Sequence, residues 1–173
     1  MNTSLRFLHD VTPMPRSVDL SVLQRRLKGA LRWHPGIDSA RVAISVDGVG
    51  RVTLEGSVPT YADKCVIEEA AKRVPGVAGV RNRVDVRLTI ADYRTDVALE
   101  RILSDLFEFL SRMPPERPRA SVVNGWVTIE GSVSRPDQKQ LIERAVREIA
   151  GVKGITNRLV VDRAARKQAR ATK

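Results

Sequence analysis

VTLEGSVPTYADKCVIEEAAKRVPGVAGVRNRVDV, residues 52–86, returns as VTIEGSVSRPDQKQLIERAVREIAGVKGITNRLVV, residues 127–161. The offset is a constant 75 with no gap, and 16 of the 35 aligned positions are identical. Several of the others exchange one aliphatic residue for another, as at Leu54/Ile129, Val66/Leu141, Ala71/Val146, Val74/Ile149, Val80/Ile155 and Val84/Leu159. Stacked repeat architectures use units of roughly 20 to 50 residues, so this longer period indicates two copies of one small domain.

Each copy reads the same way from its hydrophobic period. In the first, Val42, Ile44 and Val46 alternate, DGVG turns the chain, and Val52, Leu54 and Val58 return inward, which is a hairpin. Thr60 with Asp63 forms an approximate capping box for a helix whose stripe is Val66, Ile67, Ala70, Ala71 and Val74. Gly76 suits its C-terminal cap. A third strand follows, with Val84, Val86, Leu88 and Ile90 alternating. Upstream, Ser17 or Asp19 caps a helix running to about Trp33, with Leu20, Leu23, Leu27, Ala30 and Leu31 on one face. It ends at HPG, because Pro35 disfavours helical geometry at His34.

The second copy keeps this order. Asp92 or Thr95 caps a helix with Leu99, Ile102, Leu103, Leu106, Phe107 and Leu110 as its stripe. Asn124-Gly125 suits a two-residue hairpin turn, since both positions accept positive φ. Ser134 with Asp137 caps the last helix, whose face is Leu141, Ile142, Ala145, Val146 and Ile149, and ITNRLVV is the final strand. The expected fold is therefore α+β: two αββαβ two-layer sandwiches, each a three-stranded mixed sheet covered on one face by two helices. The boundaries are an irregular leader 1–17, a first domain 18–90, a second domain 91–162 and a basic tail 163–173.

Composition narrows the function classes. Apolar content of 42% and charged content of 29% suit a chain with a buried core. Cys65 is the only cysteine, so no intrachain disulfide can form. No apolar run approaches the roughly 18 residues of a membrane-spanning helix. The N-terminal stretch does not read as a signal peptide, which makes a cytoplasmic location the expectation, with peripheral association at the inner membrane. His9 and His34 are the only histidines, and no metal-spaced cluster, nucleophile elbow or phosphate loop is present. The expectation is a non-enzymatic protein without a cofactor.

Net charge is +10, and half of it lies in RAARKQARATK, residues 163–173, which hold no acid. Such a tail favours anionic partners, phospholipid headgroups or nucleic acid, or is simply a solvated end.

The repeated residues resemble the BON domain (bacterial osmotic-stress and nodulation domain). The match runs through Val52-Thr53-Leu54-Glu55-Gly56-Ser57-Val58, Gly76-Val77 and Asn82-Arg83-Val84. It runs again through Val127-Thr128-Ile129-Glu130-Gly131-Ser132-Val133, Gly151-Val152 and Asn157-Arg158-Leu159. The resemblance covers roughly residues 18 to 162 and departs in the Phe- and Leu-rich first helix of the second copy. It implies a non-enzymatic module associated with envelope integrity and osmotic stress that binds phospholipid surfaces.

Candidate binding residues follow from charge and placement. Arg25, Arg26, Lys28 and Arg32 lie off the apolar stripe of the first helix, with Trp33 at its end, a composition suited to a membrane interface or to a domain corner. Trp126, beside Asn124-Gly125, is the better candidate for an exposed aromatic. Lys139, Arg144 and Arg147 lie off the stripe of the last helix, with Glu143 and Glu148 interspersed. Arg158, like Arg83, belongs either to an anion-binding edge or to structure, and Arg166, Lys167 and Arg170 stand in the tail. Gly76 to Gly79 and Gly151 to Gly154 spell GxxG, but they join a helix to a strand, unlike the nucleic-acid clamp of KH domains.

Three partner classes follow: anionic phospholipid, a partner protein or a second copy through Val97 and Phe109, and nucleic acid bound only non-specifically. With 4% aromatic residues the chain has few platforms for base stacking.

Overall fold

The computed structural model describes residues 20–32, 41–110 and 118–162. The first helix, α1 (Leu20–Arg32), packs Leu23, Leu27 and Leu31 inward at i, i+4, i+8. Strand β1 (Val42–Val46) runs antiparallel to β2 (Arg51–Val58), from Val42↔Gly56 to Val46↔Val52. The turn between them is held by Asp47, whose Oδ1 accepts the N–H groups of Val49 and Arg51. Helix α2 (Tyr61–Lys72) then crosses over, so β3 (Gly79–Val86) pairs parallel to β2 from Arg51↔Gly79 to Val58↔Val86. The sheet order is β1-β2-β3, and its inward residues Val52, Leu54 and Val84 meet α1 and α2 in one core.

Thr60 caps α2 as expected, its Oγ1 accepting the N–H of Asp63 at 3.0 Å. Gly56 has φ 131°, and a Cβ placed there would lie 1.9 Å from the carbonyl oxygen of Arg41. Only a glycine lets β1 approach β2 so closely at this point, which makes its role structural.

The second unit repeats the plan with α3 (Asp96–Leu110), β4 (Arg119–Val123), β5 (Trp126–Glu130), β6 (Ser132–Val133), α4 (Pro136–Arg147), β7 (Gly154–Asn157) and β8 (Val160–Val161). Sheet β4-β5-β7 has the same mixed pairing, and Asn124 and Gly125 both take positive φ in the hairpin turn. The expected two-layer αββαβ architecture is present twice.

Several local expectations are corrected. The third strand of the first unit stops at Val86, and Ile90 is 99% exposed. Thr89 ends the alternation by accepting the N–H of Asp92 in a turn, so Thr95, not Asp92, caps α3. The last helix starts from Arg135, not Ser134, because Pro136 occupies its first position and Gln138 Oε1 accepts the N–H of Arg135. The expected continuous strands of the second unit break at Gly131 and at Arg158-Leu159, leaving β6 and β8 as a separate parallel pair. Leu141 and Ile102 are 54% and 39% exposed. Each sits one helical step, about 100°, outside the buried lines Ile142–Val146 and Leu99–Leu103.

The units touch through α2 and α4. Tyr61 packs against the second core, and Arg147 Nη1 reaches Glu69 Oε1 at 2.8 Å.

Candidate functional site

Arg25, Arg26 and Lys28 are exposed on α1, turned away from Leu23, Leu27 and Leu31. Leu20–Arg32 contains no acidic residue, so nothing within the helix offsets these charges. Arg32 ends the helix, but its side chain lies outside the described residues, as do Trp33, Arg166, Lys167 and Arg170.

The second unit treats its expected cations differently. Arg144 is exposed on α4. Lys139 is half-buried and donates from Nζ to the carbonyl of Leu159 at 2.8 Å. Arg147 turns towards the first unit, where Glu69 holds it at 2.8 Å and Glu143 stands at 4.0 Å. Arg158 pairs with Glu130 at 3.1 Å, and Arg83 pairs with Glu55 at 3.5 Å at the equivalent place in the first unit.

The repeated asparagines are structural ties. Asn82 Nδ2 donates to the carbonyl of Lys64 and to Glu68, while its Oδ1 accepts the N–H of Val84. Asn157 bonds Glu143 and Leu159 in the same manner. Burial works against the charge on Glu68, but hydrogen bonds from Lys72 and Asn82 outweigh it and hold the carboxyl below its ordinary value.

Trp126 is half exposed and lies flat against its own sheet. A Cβ at Gly154 would sit 2.4 Å from its ring, so the missing side chain of Gly154 makes room for the indole. The indole Nε1–H donates to Thr156 Oγ1 at 2.8 Å.

At the seam between the units, Tyr61, Cys65 and Glu69 recur at i, i+4, i+8 along α2. Burial pushes the Tyr61 hydroxyl and the Cys65 thiol above their ordinary pKa values, and the Tyr61–Cys65 contact adds to the rise at Tyr61. Arg147 works in the opposite direction on both groups.

A row of arginines on the first sheet is brought together by the fold, and of these the sequence pointed to Arg83 alone. The first sheet carries its helices on one face, and among the described residues the other face is open. Along the open face, Arg81, Arg83, Asp85 and Arg87 follow one another at alternate positions. A shallow groove of about 690 Å³ runs beside Arg83, Asp85 and Arg87, and a second of about 360 Å³ lies by Arg51 and Arg81. The signal was the polar half of RNRVDVR, whose apolar half marks the core. Among the described residues no group of three or more His, Cys, Asp or Glu is placed to hold a metal ion. No helix there is long and apolar enough to cross a membrane.

The BON-domain family model matches residues 19–87 and again residues 95–163. Among curated proteins, osmotically-inducible protein Y of Escherichia coli (strain K12) is 26% identical over 146 residues, covering 82% of this chain and 72% of that protein. Among solved structures, the C-terminal domain of CdsD, the structural protein of the type III secretion system of Chlamydia trachomatis, is 14% identical. That comparison covers 86% of this chain and 100% of the other, with a TM-score of 0.34. A second CdsD structure is 13% identical, covers 86% of this chain and 97% of its own, and has a TM-score of 0.35.

Proposed function

The chain belongs to the BON-domain family, with two copies in tandem, and from that premise we propose that it is a non-catalytic module that adheres to anionic phospholipid surfaces under osmotic stress. The observation that carries the reading is the outer face of α1. Arg25, Arg26 and Lys28 are exposed together on a helix without a single acid. Near an anionic surface each such cation contributes about 1 kcal/mol, and the attraction falls off within a Debye length. Arg144 adds a further exposed cation from the second unit. A relative named osmotically-inducible protein Y supports the stress association. In this reading the surface is the cytoplasmic leaflet, whose anionic lipids set up the negative potential.

Co-sedimentation with vesicles tests it. The full chain should pellet with phosphatidylglycerol vesicles and not with phosphatidylcholine vesicles, and Arg25→Ser with Arg26→Ser should reduce the bound fraction. Equal partitioning onto both vesicle types would overturn the reading.

A second reading, as a protein-interaction or self-assembly module, rests on α3. Val97 and Phe109 are 69% and 67% exposed on this helix. A sedimentation coefficient independent of concentration would count against self-assembly.

A further inference from the structure

The open face of the first sheet has a charge pattern that neither the fold nor the seam between the units uses. Arg81, Arg83, Asp85 and Arg87 project from it at alternate positions of β3 and the residue just after it, all exposed. Alternate residues on a strand stand about 6.7 Å apart. The face therefore presents plus, plus, minus, plus in a straight row. Arg83 is shared with Glu55, whereas Arg81, Asp85 and Arg87 have no ion-pair partner among the described residues.

Charged side chains on an edge strand also deter strand pairing. The second unit shows that the fold does not require this row for that purpose. There the equivalent positions are Thr156, Arg158, Val160 and Asp162. At the edge of β3, the N–H of Val84 is already taken by Asn82 Oδ1, so a ligand is better accommodated on the face than as an added strand. The cations of the row are all arginine, whose planar fork matches carboxylate and phosphate oxygens in pairs. Asp85 separates the two ligand chemistries. It repels a uniformly negative chain, such as a phosphodiester backbone or a headgroup layer, and attracts a single cation set among carboxylates. Among the described residues no aromatic stands on this face to stack a base.

We propose that this face docks an extended, acid-rich polypeptide segment of a partner protein, with one basic residue opposite Asp85 and acids opposite Arg81, Arg83 and Arg87. Charge complementarity of this kind sets register and partner choice more than raw affinity.

Fluorescence anisotropy at low ionic strength, with the full chain and labelled peptides, tests the proposal. The probes are Glu-Ser-Glu-Ser-Lys-Ser-Glu, its reverse, and the uniform Glu-Ser-Glu-Ser-Glu-Ser-Glu. One of the two mixed peptides should bind about fivefold more tightly than the uniform peptide, although it carries less negative charge. Asp85→Ser should abolish or invert that preference while leaving the thermal melt in place. Arg81→Ser with Arg83→Ser should abolish binding of all three probes. Arg25→Ser with Arg26→Ser should leave the preference unchanged, which separates this site from the membrane reading of α1. The proposal is overturned if the uniform peptide binds the native chain more tightly than both mixed ones. It is equally overturned if a single-stranded oligothymidylate or phosphatidylglycerol vesicles displace the mixed peptide and bind better after Asp85→Ser, because the face would then serve a uniform polyanion.

Discussion

Arg147 and Glu69, 78 residues apart in the chain, form an ion pair at 2.8 Å that joins the last helix of the second unit to the crossover helix of the first. The Arg147 side chain is 21% exposed and that of Glu69 47%, so water screens one end of the pair. Arg147→Ala and Glu69→Ala should each cost about 0.5–1 kcal/mol, and the double variant should cost less than their sum. Urea unfolding of all four proteins measures the coupling. Strict additivity would mean that the pair does not link the units.

The same seam protects the thiol. Burial raises the pKa of Cys65, so the folded state resists ionising it. Stability from this group is fully present below the unfolded thiol pKa and is lost as pH rises through the folded value. Above about pH 8.5 the protein should therefore lose stability, and Cys65→Ala should lessen the slope. At pH 8 the native thiol should react with a disulfide reagent much more slowly than the urea-unfolded chain does. Equal rates would contradict the buried seam.

Glu68 has the opposite sign. Its carboxyl is held below the ordinary value despite burial, so its contribution is present above the unfolded carboxylate pKa and is lost as pH falls through the lower folded value. Asn82→Ala removes one of its hydrogen-bond donors together with the tie to Val84. The variant should be about 1–2 kcal/mol less stable at neutral pH and should show a flatter loss of stability below about pH 4.5. Thermal melts across that range check both.

Two glycines should respond in opposite ways to alanine. Gly56→Ala forces a Cβ against the Arg41 carbonyl from a φ of 131°, and should cost about 2–3 kcal/mol or prevent folding. Gly48 has open space around its Cβ position and no positive φ, so Gly48→Ala should stay within about 0.5 kcal/mol of the native protein. Calorimetry distinguishes them.

The fold was legible because its determinants are local and occur twice. Thr60 with Asp63, Asn124-Gly125 and the buried Leu23–Leu27–Leu31 line each act within a few residues, and each acts as expected. Expectations missed where a neighbour in sequence decided the outcome. Pro136 displaced the start of the last helix to Arg135, and the Thr89 turn cut short an apolar alternation that otherwise reached Ile90. The surface was less legible because charge in a sequence does not reveal its partner. Arg144 and Arg147 look alike on one helix, yet Arg144 is exposed while Arg147 is held by a carboxylate from the other unit. The arginine row was less legible for a related reason: Arg83 stood out alone, and Arg81 and Arg87 join it only once all three are seen exposed on one face of the sheet.

Asn82 and Asn157 each occupy, with their own side chain, the backbone N–H two residues on: that of Val84 within the edge strand β3, and that of Leu159 in the break just past β7. Two neighbouring copies with 16 of 35 positions identical are at risk of exchanging strands while they fold. An amide that occupies one N–H at or just beyond each edge as its own unit forms leaves one fewer donor for the sibling's strand. Duplication of such a unit within one chain then yields two separate sheets in place of a tangled one, and leaves one copy free to acquire a surface the other lacks.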